Sequence, residues 1–144
     1  MVDPEIEYLA KTIYGAAKNE PIQGQIAIGQ VIMNRVVADR EQWGGGTVRG
    51  VVTHRTPLDT GDYVYEFECW RHGDIPVDDH MVYGEILQLA EQIYANQVQA
   101  VDWVQDADHF YCPTNLDGQG QKPAWTYHCM RLGDIGRYRF YEEL

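Results

Sequence analysis

Glu20 is the first residue whose type and position suggest acid–base chemistry. It follows an amphipathic segment and precedes Pro21, so its carboxyl group is expected at the mouth of a loop. A carboxyl group at the edge of a cleft can act as a general acid or base. A glutamate before proline at a helix end is also typical of a solvated surface, and the sequence leaves both interpretations open.

A second set of reactive side chains occurs late in the chain, as a His-x-x-Cys pair and an adjacent His-Cys pair: His109, Cys112, His128 and Cys129. Neighbouring residues of an extended backbone point to opposite faces, which disfavours a shared tetrahedral zinc ion. No cysteine is accompanied by a local pattern of bases that would activate it as a nucleophile. We therefore predict neither a metal site nor a cofactor.

The first element that must position Glu20 is a helix. Asp3 and Pro4 read as an N-cap and a first helical residue, and apolar residues then recur at helical spacing as far as Ala17. Pro21 restricts the residue before it, so the helix is predicted to end near Asn19. Position 16 then lies in its last turns.

The next segment, from Ile22 to Val37, is apolar on nearly every side and is predicted to be a buried central helix. Arg35 within it must find a partner, and we expect a carboxylate that joins two elements. Gln30 lies on its polar stripe and could reach the cleft floor below position 16.

The remaining pattern is mixed. Thr47 is predicted to cap a short helix through Val52, and Asp78-Asp79 a second long helix. Residues 64–70 are rich in aromatic and β-branched types and predict a small β element, and residues 103–144 contain several short strand-like runs. With 144 residues and no repeat or linker, the chain is predicted to be a single domain spanning residues 1–144.

Charge narrows the class of partner. The chain has 22 acidic and 11 basic residues and a net charge of −11. Binding to phosphate backbones relies on Lys and Arg, so this balance disfavours nucleic acids and anionic membranes. No apolar stretch is long enough to predict membrane insertion.

Two segments carry a resemblance to a known family. Residues 9–21 read LAKTIYGAAKNEP, and residues 24–36 read GQIAIGQVIMNRV. They resemble LAxxIYGEAxxEP and GQxAxxxVxxNRV in the SleB-type cell wall hydrolases, a family of spore-cortex lytic enzymes and bacteriophage proteins. Further similarities follow in the family's order, at residues 67–70 (FECW), 109–111 (HFY), 123–125 (PAW) and 135–141 (IGRYRFY).

The resemblance implies a fold, an activity and a set of site residues. It implies a mainly helical α+β domain similar to lysozyme-like lytic transglycosylases, with a small β-rich lobe and a saccharide groove. The implied activity is cleavage of the bond between N-acetylmuramic acid and N-acetylglucosamine in peptidoglycan, by a lytic transglycosylase or a muramidase. Residues expected to contact the glycan are Glu20, Gln30, Trp70, His109, Tyr111, Trp125 and Tyr138. For Trp70 and Trp125, and for the pair His109 and Tyr111, packing within the fold is the alternative.

The chain departs from the family pattern at two of these places. Ala16 stands where the family has its general-acid glutamate, and Tyr138 stands where a histidine usually follows Ile-Gly-x. Ala16 can neither donate nor accept the catalytic proton, so we expect this form to be catalytically impaired. Two explanations stay open: a deliberate Glu-to-Ala change, favoured by the well-preserved motif, and a natural glycan-binding or phage structural protein that does not cut.

Residues 1–5 lack the basic segment and apolar core of a secretory signal. A small, single-domain wall enzyme without a signal fits a phage-encoded protein, made in a host cytoplasm and acting on the periplasmic or external wall, and we expect it to be a monomer. A cytoplasmic or clipped bacterial protein also fits this sequence.

Overall fold

The computed structural model describes residues 2–113 and 122–144. Its helices are α1 (Pro4–Ala17), α2 (Ile22–Ala38), α3 (Val48–Val52) and α4 (His80–Tyr94). Its strands are β1 (Arg55–Pro57), β2 (Tyr63–Tyr65), β3 (His109–Tyr111), β4 (Cys129–Ile135) and β5 (Tyr138–Glu143). Single 3₁₀ turns occur at Glu41–Trp43, Glu68–Trp70, Asp102–Val104 and Ala124–His128. The predicted α+β class, with more helix than strand, is confirmed.

Helices α1, α2, α3 and α4 form the body of the molecule. Asp3 caps α1 by accepting a hydrogen bond from the Glu5 backbone N–H, and α1 ends at Ala17, two residues before the predicted end. Thr47 and Asp79 cap α3 and α4 as predicted. The apolar faces of these helices form a common core with fully buried residues such as Leu9, Ile13, Ile28 and Val51.

Arg35 lies in this core and makes the predicted pairing. Its Nε donates to the Asp108 carbonyl oxygen at 2.7 Å, and its Nη1 lies 3.6 Å from Glu66 Oε1. Burial lowers the pKa of the guanidinium, but these partners compensate part of the desolvation. Arg35 therefore joins α2 to both β-rich parts of the molecule.

The predicted β element at residues 64–70 is only partly correct. Strands β1 and β2 form an antiparallel hairpin that begins earlier, at Arg55, and residues 68–70 form a 3₁₀ turn instead of a strand. The turn lets Trp70 enter the core against α1, where its indole N–H donates to Thr12 Oγ1 at 2.9 Å. Tertiary packing thus overrides the local β preference.

A three-stranded antiparallel sheet in the order β3-β5-β4 completes the fold. Residues 114–121, which fall within the strand-rich region predicted from the sequence, lie outside the described residues. Gly136 occupies the turn between β4 and β5 with φ of +56°, which favours glycine. Arg137, in the same turn, contacts Glu20 just after the end of α1.

Candidate functional site

Position 16 lies in the last turn of α1 and is partly buried against the core. It is one turn beyond Thr12, so both side chains lie on the same stripe of the helix. The Ala16 carbonyl oxygen accepts a hydrogen bond from the Tyr138 hydroxyl at 2.5 Å. Burial raises the pKa of Tyr138, which keeps this hydroxyl a donor. Tyr138 therefore contacts the backbone of position 16, through a carbonyl group that any residue there would present.

Glu20 lies beside this contact but is held by the β4–β5 turn. Its Oε1 accepts from the Arg137 backbone N–H at 3.0 Å, and its Oε2 lies 3.2 Å from Arg137 Nε. Only 8% of the Glu20 side chain is exposed. These contacts favour the structural interpretation of Glu20, since its carboxylate connects the α1–α2 loop to the sheet. Contact with substrate stays a prediction for this residue.

Gln30 takes part in a network that runs away from position 16. Its Nε2 donates to Asn34 Oδ1 at 3.0 Å, and its Oε1 accepts from the Ala100 backbone N–H at 3.5 Å. Asn34 in turn donates to the carbonyl oxygens of Gln105 and Ala107. These hydrogen bonds of Gln30 hold the segment between α4 and β3, and its role in a cleft floor stays a prediction.

Three of the predicted contact residues come together on the outer face of the three-stranded sheet. The rings of His109 and Trp125 lie 4.7 Å apart, and those of Tyr111 and Trp125 lie 5.7 Å apart. Tyr141 packs edge-on against Trp125 at 5.2 Å. We call His109, Tyr111, Trp125 and Tyr141 the outer aromatic cluster.

Tyr138 lies on the other face of the same sheet. Phe110 pairs with Phe140 in the register, and the Phe110 ring contacts Tyr138 at 5.3 Å. Because successive strand residues point to opposite faces, the sheet separates Tyr138 and Ala16 from the outer aromatic cluster. The sequence predicted one set of glycan contacts, whereas the structure places Tyr138 and the outer aromatic cluster on opposite faces of this sheet.

The histidine of the outer aromatic cluster is bound to a carboxylate. His109 Nδ1 lies 2.8 Å from Asp108 Oδ1, which also accepts from the Glu143 backbone N–H. Cys129 Sγ is 4.0 Å from the same ring nitrogen, and burial raises the pKa of this thiol. Within residues 2–113 and 122–144, no three His, Cys, Asp or Glu side chains are arranged to hold a metal ion.

Trp70 belongs to a third location, along the first half of α1. Its ring packs against Tyr8 at 5.2 Å, and both rings border a cavity of about 540 Å³ between α1, α3 and the β1–β2 hairpin. Arg49 and Arg55 also line this cavity. The sequence did not indicate Tyr8, Arg49 or Arg55 as site residues. Tyr8 could have been found, because it lies one helical turn before Thr12 and therefore on the same face of α1. We call this cavity the α1 groove.

The sequence model of the cell wall hydrolase family matches residues 19–141. The chain therefore belongs to the cell wall hydrolase family. The match begins after position 16 and does not bear on the alanine there. No curated protein matches the chain.

Two solved structures are similar to the whole chain. One is described as the catalytic domain of the germination-specific lytic transglycosylase SleB from Bacillus anthracis; it has 21% identity and a TM-score of 0.66 over 99% of this chain and 97% of that chain. The other, the catalytic domain of SleB from Bacillus cereus, has 21% identity and a TM-score of 0.62 over 96% and 89%. The predicted SleB-like, lysozyme-like fold is confirmed. In the described part of the chain, no helix is long and apolar enough to cross a membrane.

Proposed function

We propose that this chain binds peptidoglycan glycan strands on the scaffold of a glycan-cleaving enzyme whose general acid is missing. The observation that carries the proposal is the environment of position 16. A methyl group occupies the place of the expected carboxyl group, and the neighbouring carboxylate, Glu20, is already bound by Arg137. Membership of the cell wall hydrolase family supports peptidoglycan as the substrate.

The chemistry shows why this loss is severe. Cleaving a glycosidic bond requires a proton for the leaving oxygen, and a hydrolase usually adds a second carboxylate. A lytic transglycosylase uses one glutamate twice. It protonates the leaving oxygen, and it then takes the proton from the muramic acid hydroxyl that attacks the anomeric carbon. Removing such a group costs about a hundredfold to ten-thousandfold in rate. The parent activity is cleavage of the N-acetylmuramic acid to N-acetylglucosamine bond.

A natural protein that binds without cutting is the second candidate. It is favoured by the second departure from the family pattern, which is Tyr138. A deliberate change of one glutamate would by itself leave the usual histidine at position 138, whereas this chain has tyrosine there. Glycan binding without cleavage is expected of either candidate.

Restoring the carboxyl group tests the proposal. Purified peptidoglycan is incubated with the unchanged chain, with Ala16→Glu and with Ala16→Gln, and the products are identified by mass spectrometry. Glutamine matches the size of glutamate but cannot act as the acid. We expect fragments only from Ala16→Glu, at least about a hundredfold above the other two. Anhydro sugar ends then indicate a lytic transglycosylase, and reducing ends a hydrolase.

Two outcomes would overturn parts of the proposal. Equal release by the unchanged chain would show that another residue supplies the proton. If folded Ala16→Glu protein releases nothing, the parent activity is rejected. Co-sedimentation of the unchanged chain with peptidoglycan then decides whether binding is its function, and failure to co-sediment rejects binding as well.

A further inference from the structure

The α1 groove differs from the rest of the described surface in containing arginines that form no ion pair. All eight arginines lie in the described residues, and six have a carboxylate within ion-pair distance: Arg35, Arg40, Arg71, Arg131, Arg137 and Arg139. Arg49 and Arg55 form no such pair within residues 2–113 and 122–144. In a chain with 22 acidic residues, it is notable that both border the same cavity.

The two arginines are nevertheless held in place by aromatic residues. The Arg55 guanidinium lies 3.9 Å above the Tyr63 ring, and its Nη1 donates to the Tyr65 hydroxyl at 3.1 Å. The Arg49 guanidinium is 5.7 Å from the Tyr8 ring. A guanidinium has five N–H donors, so most remain available to a ligand. Such a preorganised fork suits a carboxylate, which it can bind through two parallel hydrogen bonds.

The other charged residues of the groove do not neutralise the positive charge of Arg49 and Arg55. Lys11 is already committed, since its Nζ lies 2.8 Å from Asp74 Oδ1. Glu7 is the second carboxylate of the lining. Three cations therefore face two carboxylates, and the arginines on the α3 and hairpin side carry the excess positive charge.

The aromatic lining indicates what the carboxylate is attached to. Tyr8, Tyr65 and Trp70 border the cavity, and Trp70 is fixed by its hydrogen bond to Thr12. Aromatic side chains with an apolar face and a polar tip suit ligands that are part apolar and part polar, such as sugar rings. A volume of about 540 Å³ is within the range of small-ligand sites.

We propose that the α1 groove binds the carboxylate of an N-acetylated amino sugar, with Arg49 and Arg55 as its partners. This inference rests on the proposed function, because peptidoglycan supplies such a group. The carboxylate belongs either to the lactyl group of a bare muramic acid or to a peptide stem attached to it. Tyr8 lies about 12 Å along α1 from position 16, at 1.5 Å per residue, so a strand of a few sugars can occupy both places.

Calorimetric titration of the unchanged chain tests the inference, because this chain is not expected to consume the ligand. The probes are a neutral N-acetylglucosamine tetramer, a wall tetrasaccharide with bare lactyl groups and the same tetrasaccharide with peptide stems. The variant is Arg49→Gln with Arg55→Gln. The matched control is Arg131→Gln, an exposed arginine of β4 outside the groove. Circular dichroism verifies that each variant is folded.

We expect the double variant to weaken binding of a carboxylate-bearing probe at least about tenfold. Binding of the neutral tetramer should change less than about twofold, and Arg131→Gln should bind all probes as the unchanged chain does. The Trp70 indole N–H signal should shift on titration in an NMR spectrum. Whichever probe shows the loss identifies the lactyl group or the stem as the source of the carboxylate.

Failure of the inference and failure of the proposed function give different results. If the unchanged chain binds the wall fragments and the double variant binds them equally well, the groove assignment is rejected and glycan binding stands. An equal loss for the neutral tetramer also rejects it, since charge is then not what is recognised. If the unchanged chain binds neither the fragments nor whole peptidoglycan, both proposals are rejected.

Discussion

The two ends of helix α1 differ in how the charged groups around them are paired. At its C-terminal end, the Ala16 carbonyl oxygen, the Glu20 carboxylate and the Tyr14 hydroxyl all have protein partners. Beside its first half, Lys11 pairs with Asp74, but Arg49 and Arg55 border the α1 groove and have no carboxylate partner within residues 2–113 and 122–144. This difference supports our proposal that the groove binds a ligand, whereas the groups at the end of α1 are held by contacts within the protein. Substitutions at the two places should therefore change different properties.

The largest effect is expected for Gly136→Ala. Gly136 has φ of +56°, and an added Cβ would overlap Glu20 Oε1. Backbone strain and overlap together should lower the free energy of unfolding by about 2–4 kcal/mol. Gly61→Ala is the control, because Gly61 also has positive φ but nothing within 4 Å of the added Cβ. Urea denaturation measures both, and an equal loss for the two variants would show that the contact with Glu20 is unimportant.

Glu20→Ala should come next. It removes the acceptor of the Arg137 backbone N–H and the partner of its guanidinium, at a site where the side chain is almost buried. The Arg137 side chain can still be solvated by water, so we expect the free energy of unfolding to fall by only about 1–2 kcal/mol. Glu91→Ala, at an exposed position of α4, should stay within about 0.5 kcal/mol. If Glu20→Ala is as stable as this control, Glu20 is not a structural residue, and contact with substrate becomes the better interpretation.

Tyr138→Phe should cost about 1 kcal/mol, because it deletes the hydroxyl that donates to the Ala16 carbonyl oxygen but keeps the ring in the core. Tyr127→Phe changes a side chain that is 79% exposed and serves as the control. Thermal denaturation compares the two. Indistinguishable midpoints would contradict a stabilising contact at position 16.

Asp78→Asn should lower the stability by a smaller amount, and that amount should depend on pH. Hydrogen bonds from Tyr14 and Lys18 lower the pKa of Asp78 to about 2. A carboxyl group whose pKa is lower in the folded state adds stability above its unfolded pKa, and this contribution is lost as pH falls towards 2. The variant should therefore be less stable than the unchanged chain at pH 6, and the difference should shrink as pH falls from about 4 through 2. Asp59→Asn, on an exposed turn, is the control for removing one carboxylate charge.

The smallest effect on stability is expected for Arg49→Gln with Arg55→Gln. Both arginines are exposed and lack ion-pair partners among the described residues, and they lose only solvent-exposed contacts with Tyr8, Tyr63 and Tyr65. The free energy of unfolding should therefore change by less than about 1 kcal/mol. Equilibrium denaturation checks this value beside the binding loss predicted above. A large loss of stability would mean that the groove, like the end of α1, is a structural feature.

Local patterns of the sequence predicted the helices and their caps well. Asp3, Thr47 and Asp79 begin helices as expected, because capping depends on residues within one turn. The carboxylate partner expected for Arg35 is Glu66, since a buried guanidinium must be compensated. The pairing order β3-β5-β4 was not predictable, because strand pairing joins residues far apart in the sequence.

The candidate site was predicted less completely for the same reason. Side-chain alternation places His109 and Tyr111 on one face, but only the register with β5 shows that Tyr138 is on the other. The partner of Glu20 is 117 residues away, and Arg55 lies in a strand of three residues. No local periodicity encodes such contacts. Family resemblance led us to expect the general acid at position 16, whereas the α1 groove is visible only in the folded structure.

The bond between Tyr138 and Ala16 also has a consequence for the order of folding. It joins residues 122 positions apart, so the surroundings of position 16 depend on one of the most distant contacts available to this chain. Closing so long a loop is entropically costly and slows the step that needs it. On the ribosome, α1 can form early, but position 16 acquires its final surroundings only after β5 has emerged. A nascent chain therefore contains the helix long before it contains the site.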